Sequence, residues 1–437
     1  MENSLKTFMS DVYLSPSQLY QIAVKFQEAM EDGLRGEKSS LKMLNSFIAP
    51  PTGQESGTFL GLDFGGSNIR VFVVQLEKGQ HQVILCKAVP LEDTNVPYNY
   101  KSELVKAAQL FDFVAYQVKA VLDMGCEDNF QLGFTFSWPC QQKSRNRAEL
   151  AGWTKEMKVT GVEGQDVGEL LEDAFTRLRI TDKIQLQAII NDTVGTLLTG
   201  AYLDPNIDIG SILGTGHNTC YIESRLTAYN SPMIINIESG GFNELGCTNY
   251  DQRLDQASKK PGEQRLEKMV SSKYLAELLR IVLSDLITEK LLFHGRMSKN
   301  MLLQYSVMGE HLSIILADNT AELSQIGEWI SNTFAVPHTL QERALIKTVA
   351  AKLMLRSASL VAATFLGILL HVDPDLNKPH SIAVDGSMYE HMPGYAENLR
   401  AVLDQLLGSK SKQVSLKLVK EGSGVGACIA AATINQA

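Results

Sequence analysis

Residues 60–74 read LGLDFGGSNIRVFVV: an apolar strand, an aspartate, two glycines, a Ser-Asn pair, then a second apolar strand carrying Arg70. A weaker echo stands at residues 209–222, IGSILGTGHNTCYI, again strand, Gly-rich turn with a hydroxyl residue and Asn, then strand. A Gly-rich turn can wrap a phosphate with its backbone N–H groups, because glycine takes φ > 0 and brings no Cβ to the approach. Asp63 in the first turn suits a Mg²⁺ held through water, an ion that prefers hard oxygen ligands. Ordinary hairpin turns favour Gly and Asn as well, so one such stretch decides little. Two in one chain point to a duplicated, nucleotide-binding fold.

The rest of the chain sets bounds around these hairpins. Its 437 residues and 48.1 kDa predict two domains or lobes. A net charge of −9 and a pI near 5.5 argue against a broad surface for nucleic acid or anionic membrane, so neither is expected as a partner. The cysteines at 86, 126, 140, 220, 247 and 428 form no C-x-x-C pair. That spacing excludes a zinc framework and fits a reduced, cytoplasmic setting. The N-terminal MENSLKTFMSDVYLS lacks the basic start and apolar core of a signal peptide. The uncharged run Ser357 to Val372 is short for a membrane span and reads as a buried helix.

Periodicity predicts helices over 15–32, about 102–124, 165–178, 193–202, 263–290, 297–306, 321–333, 340–371 and 394–407. Further strands fall at about 81–89, 130–136, 184–190, 381–385 and 414–419, and a Gly turn leads into a helix at 425–434. Strands alternating with helices give an α/β protein with mixed sheets.

Between the hairpins lie the segments that carry chemistry. In QAIINDTVGTL an apolar strand ends in Asn191-Asp192 and a helix begins at Thr193. Polar residues at the end of a buried strand reach the crevice where α/β folds place ligands. An Asp N-cap is the plainer reading, and Asp192 can serve as cap and base together. LGFTFSWPC and the following GWTKE supply Ser137, Thr154 and Lys155. Hydroxyls, amides and an amine on one cleft suit a polyhydroxylated substrate, whose buried groups all need partners. Glu238 in INIESGGFN and Glu267 in PGEQRLEKM are further acceptors, although each alone reads more simply as a surface carboxylate. GSGVG at 422–426 leaves no room for a dinucleotide-binding βαβ unit, but it opens a helix and so offers an anion or ribose site.

Taken together and in order, these segments resemble the eukaryotic-type hexokinase family (hexokinase/glucokinase). LDFGGSNIRV resembles the first phosphate motif, FTFSWPC and WTK the sugar signature, INDTVGTL the catalytic segment, and LGTGHNTCY the second phosphate motif. NIESGGFN, PGEQRLEK, AVDGSMY and EGSGVGA follow, the last two in the adenosine region. The resemblance implies an α/β, two-lobed actin-like ATPase (ribonuclease H-like) fold, with mixed sheets flanked by helices and a cleft between lobes. Residues 58–192 with 425–437 would form the small lobe, and 1–57 with 193–424 the large one. It further implies ATP-dependent phosphorylation of a hexose, glucose above all, at the 6-hydroxyl, the first step of glycolysis, with ATP and Mg²⁺. Monomer and homodimer both stay open.

The resemblance places Asp192 as general base with Lys155 beside it in catalysis. Ser137, Thr154, Lys155, Asn191, Asp192, Asn218, Glu238, Gln264 and Glu267 match sugar-binding positions. Asp63, Gly65, Gly66, Ser67, Asn68 and Arg70 match the first phosphate turn, Gly214 and Thr215 the second, and Gly386, Ser387 and Gly424 the adenosine region. The chain departs from the pattern in several places. Ser67 stands for a Thr, His217 for a smaller residue, and Ser239 for the Trp that usually follows the Glu at 238. A non-catalytic hexose sensor on the same fold is the alternative, and the presence of both Asp192 and Asp63 speaks against it.

Overall fold

A computed structural model describes residues 3–93, 96, 98–124, 129–154, 156–225 and 232–433. Lys155 and Cys126 lie outside the described residues. Two sheets dominate, and they repeat one topology. In the first, β1 (Ser56–Phe64), β2 (Asn68–Glu77) and β3 (Gln80–Pro90) form an antiparallel meander. β4 (Phe130–Phe136) and β5 (Ile184–Ile190) add in parallel on the open side of β1, giving the order β5-β4-β1-β2-β3.

The second sheet does the same with β6 (Ile207–Leu213), β7 (His217–Glu223), β8 (Met233–Asn236), β9 (His380–Asp385) and β10 (Val414–Leu418). Its order is β10-β9-β6-β7-β8, with the two-residue strand Leu44–Asn45 beyond β8. The duplication inferred from the hairpins is thus a duplication of whole sheets.

The strand sequences explain their places. β4 is almost wholly buried and β5 buries all but Gln185 and Gln187, as parallel strands covered by helices do, whereas the edge strand β3 alternates between half-buried and exposed residues. Helix α1 (Pro16–Leu34) begins with a Ser15/Gln18 capping box and Pro16 in its first turn, and buries Leu19, Ile22, Ala23, Phe26 and Met30. Helix α2 (Asp192–Leu203) follows β5 directly. Helix α3 (Leu340–Val372) is long and apolar enough to cross a membrane by length and composition, yet its apolar stretch is mostly buried inside the protein. It packs there against α1 and the helix Tyr395–Leu407.

Helix α4 (Gly422–Ala432) connects the two halves. It packs on β1 and β4 of the first sheet and on α2, which in turn lies against β6. The approach is backbone to backbone: a Cβ at Gly133 of β4 would lie 1.8 Å from the Ala427 carbonyl oxygen, and one at Gly426 would lie 2.1 Å from that of Gly195. One buried cluster accordingly draws Phe72, Ile190, Leu197, Ala383, Val425 and Ile429 from both sheets and both helices.

Several expected elements differ. The helix expected to begin near 102 begins at Ala107. The single helix expected over 263–290 is two, Arg265–Val270 and Ser272–Thr288, because Ser271 adopts extended backbone between them. Within 297–306 only Lys299–Leu302 is helical. The loop between Pro139 and Trp153 holds a hairpin, Cys140–Ser144 with Arg147–Leu150. The last helix starts at Gly422, so GSGVG lies inside its first turns instead of preceding it.

Candidate active site

The first Gly turn closes between β1 and β2, where Asp63 pairs with Arg70 and Phe64 with Ile69. The amide of Gly65 donates to the Asn68 carbonyl at 3.0 Å, and the Ser67 carbonyl accepts from the amide of Leu91 at 2.8 Å. Asp63 is buried, and its Oδ2 accepts from Arg70 at 3.3 Å and from the Ser423 hydroxyl of α4 at 3.0 Å. The second turn closes between β6 and β7 through Gly214 and Gly216, 3.0 Å from amide to carbonyl, and exposes Thr215 at its tip. The amide of Ser272 donates to the Gly214 carbonyl at 3.0 Å. Gly386 and Ser387 pack under the turn, and Gly386 has φ +117, where a Cβ would lie 2.4 Å from the Leu213 carbonyl oxygen.

The expected φ > 0 is absent from both turns at Gly65, Gly214 and Gly216. Glycine supplies room there instead of an unusual φ. A Cβ at Gly216 would lie 2.9 Å from Glu267 Oε2. Gly424 also serves packing: a Cβ there would strike the Phe72 ring at 2.2 Å, so this glycine seats α4 on the sheet.

At the end of β5 the cap is Asn191, not Asp192. Asn191 has extended backbone and its Oδ1 accepts from the amide of Val194 at 2.8 Å, which stabilises the helix by about 1 kcal/mol. Asp192 is the first helical residue, not the residue before it. Its Oδ1 accepts from the amide and hydroxyl of Thr193 at 2.8 and 3.2 Å. Its Oδ2 takes no protein hydrogen bond among the described residues, which leaves one carboxylate oxygen available to a substrate.

Asp385 ends β9 of the second sheet. Burial, first of all, pushes its carboxyl up to about 6, with the negative charge of Asp192 adding to the shift. The amides of Gly386, at 2.6 Å, and of Gly422 pull the other way. The Asp385 carboxylate thus lies at the start of the GSGVG helix. Asp63, Asp192 and Asp385 converge around the first turn of α4, Asp63 through Ser423 and Asp385 through Gly422.

A second constellation forms beside β7. Glu238 Oε1 accepts from Asn236 at 2.9 Å and Asn218 at 3.3 Å, and Asn218 also donates to Asn236 at 2.8 Å. Glu267 Oε2 accepts from the amide of His217 at 3.1 Å. Gln264 joins them: a Cβ at Gly240 would meet its Oε1 at 2.5 Å and Glu267 Cβ at 3.1 Å. Glu238 and Gln264 both hold left-handed backbone, φ +59 and +53, a strain that persists where the surroundings over-determine it.

Ser137 and Thr154 come from the first-sheet side. The Ser137 amide donates to the Phe64 carbonyl at 3.3 Å, and the Trp138 indole donates to the Thr154 carbonyl at 3.1 Å. The Cys140 thiol is pushed up to about 12, first by burial and then by the charges of Asp166 and Glu238. The end of SWPC and Glu238 thus lie within electrostatic reach of each other.

Sequence reasoning missed Asp385, Ser423 and Asn236. Asp385 and Asn236 carried a usable signal, a polar residue ending an apolar strand, the same signal that singled out Asp192. Ser423 carried none, because its partner lies 360 positions away.

Duplicated sheets, a Gly turn on each and carboxylates gathered at the start of a shared helix define a two-lobed kinase of the actin-like ATPase class. The chain belongs to the hexokinase family and is an enzyme of the hexokinase type: family models described as Hexokinase match residues 4–202 and 208–433. It is 34% identical to Hexokinase-1 of Arabidopsis thaliana over 98% of this chain and 90% of that protein. It is also 34% identical to human Hexokinase HKDC1 over 95% of this chain, and spans 46% of that longer protein. A solved hexokinase from Schistosoma mansoni complexed with glucose superposes with a TM-score of 0.84 at 31% identity, over 98% of this chain and 97% of that one. A ROK family glucokinase from Streptomyces griseus shares the fold alone, at 14% identity and a TM-score of 0.51 over 86% of this chain and 98% of that one.

Proposed function

We propose that this enzyme transfers the γ-phosphoryl group of ATP to the 6-hydroxyl of a hexose, glucose first among them. One observation carries this reading: Asn218, Glu238, Gln264 and Glu267 are held together by short contacts on one side, while Asp192 keeps an open oxygen on the other. Acceptors and amides in that number match a ring of hydroxyls. Asn191, whose side-chain oxygen caps α2, can still offer its amide nitrogen.

In-line phosphoryl transfer asks mainly for positioning and neutralised charge. Asp192, in the first turn of α2, accepts the hydroxyl proton late in the transfer. Arg70, Lys155 and the two Gly turns, Gly65 to Asn68 and Gly214 to Thr215, meet the phosphates, through amides other than those of Gly65 and Gly214, which close the turns, with Ser387 beneath the second turn. No three acidic, imidazole or thiol groups among the described residues form a metal cage by themselves. A lone buried carboxylate such as Asp63 fits Mg²⁺, which keeps several waters and takes one or two carboxylates. Asp63 would hold the ion through water, and Mg²⁺ when bound neutralises phosphate charge. The cleft closes over the sugar between residues 58–192 with the C-terminal helix and residues 1–57 with 193–424, and so excludes water as a rival acceptor. A cytoplasmic location accords with the free thiols of Cys86, Cys140, Cys220, Cys247 and Cys428.

A coupled assay over a hexose panel, with ATP and other phosphoryl donors, tests substrate and donor together. Asp192→Asn should still bind glucose and should lose at least ~1,000-fold in kcat. Turnover near that of the parent would remove Asp192 as the base.

A further inference from the structure

The imidazole of His217 lies buried at the start of β7, between the two groups that shape the acid cluster. Its Nδ1 is 3.1 Å from the Ile212 carbonyl oxygen, which can only accept, so Nδ1 carries the proton. Burial pushes the ring down to about 4, so it is neutral and its Nε2 is an acceptor. That atom faces the hydroxyl of the fully buried Ser239 at 3.4 Å. Ser239 follows Glu238 directly, and its amide donates to Asn218 Oδ1 at 3.2 Å. The backbone of the same histidine holds Glu267, and its carbonyl oxygen would lie 3.0 Å from a Cβ at Gly240.

We propose that His217 and Ser239 form a buried wedge in which the neutral Nδ1–H imidazole accepts from the serine hydroxyl, and that this wedge positions Glu238, Asn218 and Glu267 and so sets hexose affinity. The inference rests on the sugar-binding reading of those residues. His217 is a positioning residue that acts through its neighbours. It fixes the turn at Ser239 from below, and that turn fixes the left-handed backbone of Glu238.

A double-mutant cycle on the full chain tests it, with glucose binding read by calorimetry alongside kcat, KM and Tm. His217→Asn keeps a donor for the Ile212 carbonyl but loses the acceptor, and Ser239→Ala loses the hydroxyl. Each should raise the glucose Kd about 5–10-fold, the size of one lost buried hydrogen bond. KM should rise in parallel while kcat stays within about twofold, and the double variant should be no worse than the worse single one. Losses that simply add, or a lowered Tm with wild-type Kd, would overturn the wedge. Glu238→Gln separates the two readings. If it loses glucose while His217→Asn binds normally, the wedge fails and the sugar site stands. If the parent protein itself binds no hexose, both fail.

Discussion

The two Gly turns occupy matching places in the two sheets, after β1 and after β6, yet they are built from different materials. The first is flanked by charge, with Asp63 against Arg70 and Ser423 added from α4. The second has no charged residue of its own. It is pinned by the Ser272 amide and by Gly386, begins β7 with a neutral His217, and presses Gly216 toward Glu267. On the proposed function, the first turn handles phosphate and metal charge. The second joins the phosphate side to the sugar side through one carboxylate.

That contrast can be broken by substitution. Asp63→Asn should lower kcat by about 100-fold and leave the glucose Kd unchanged, since it removes charge from the phosphate side alone. A fall of less than about threefold would erase the distinction between the turns. Gly216→Val should act in the opposite sense. Its Cβ must displace Glu267 Oε2 from 2.9 Å, so the glucose KM should rise at least tenfold, the cost of a small misplacement at a binding group, with a smaller change in kcat. An ATP-side effect without a glucose effect would show that the second turn serves phosphate only. Ser423→Ala removes one 3.0 Å hydrogen bond to Asp63, about 1 kcal/mol, and steady-state kinetics should show roughly a fivefold loss in kcat.

The smallest effect concerns stability. His380, which opens β9, lies 2.6 Å from Asp208 on β6 and 3.2 Å from Asp373. Burial opposes its proton, but the hydrogen bond and charge of Asp208, then the hydrogen bond of Asp373, win and hold it above its ordinary 6.5. A raised folded pKa means that the stabilisation is present in full below about pH 6.5 and is lost as pH rises through the folded value. Melting curves at about pH 6 and about pH 8 should therefore show a lower Tm at the higher pH, and His380→Asn should flatten the difference.

Both Gly turns, the buried α3 and the start of α1 were legible because their signals are local. Turn chemistry, a capping box and apolar periodicity each act within a few residues. The Asn191-Asp192 pair was legible as a helix start but not in its division of labour. Both residues cap well, and only the extended backbone at Asn191 decides between them. The packing role of Gly424 was not legible, because glycines near a helix start look the same whether or not they admit a ring such as Phe72. Ser271 falls within the expected helix but holds extended backbone, and the next amide, of Ser272, donates to the Gly214 carbonyl of the second turn. For Gly424 and Ser423 what stayed hidden was a partner hundreds of residues away, Phe72 and Asp63.

That distance also orders events on the ribosome. β1 and β4 lie bare on one face until α4 covers them, and Asp63 gains Ser423 only after 360 further residues have been made. Long-range closure of this kind is slow and leaves apolar strand surface open to wrong partners meanwhile. The nascent first sheet thus stays open on that face until Gly422–Ala432 is made, and a protein halted before Gly422 should emerge with Asp63 made but not yet joined to Ser423.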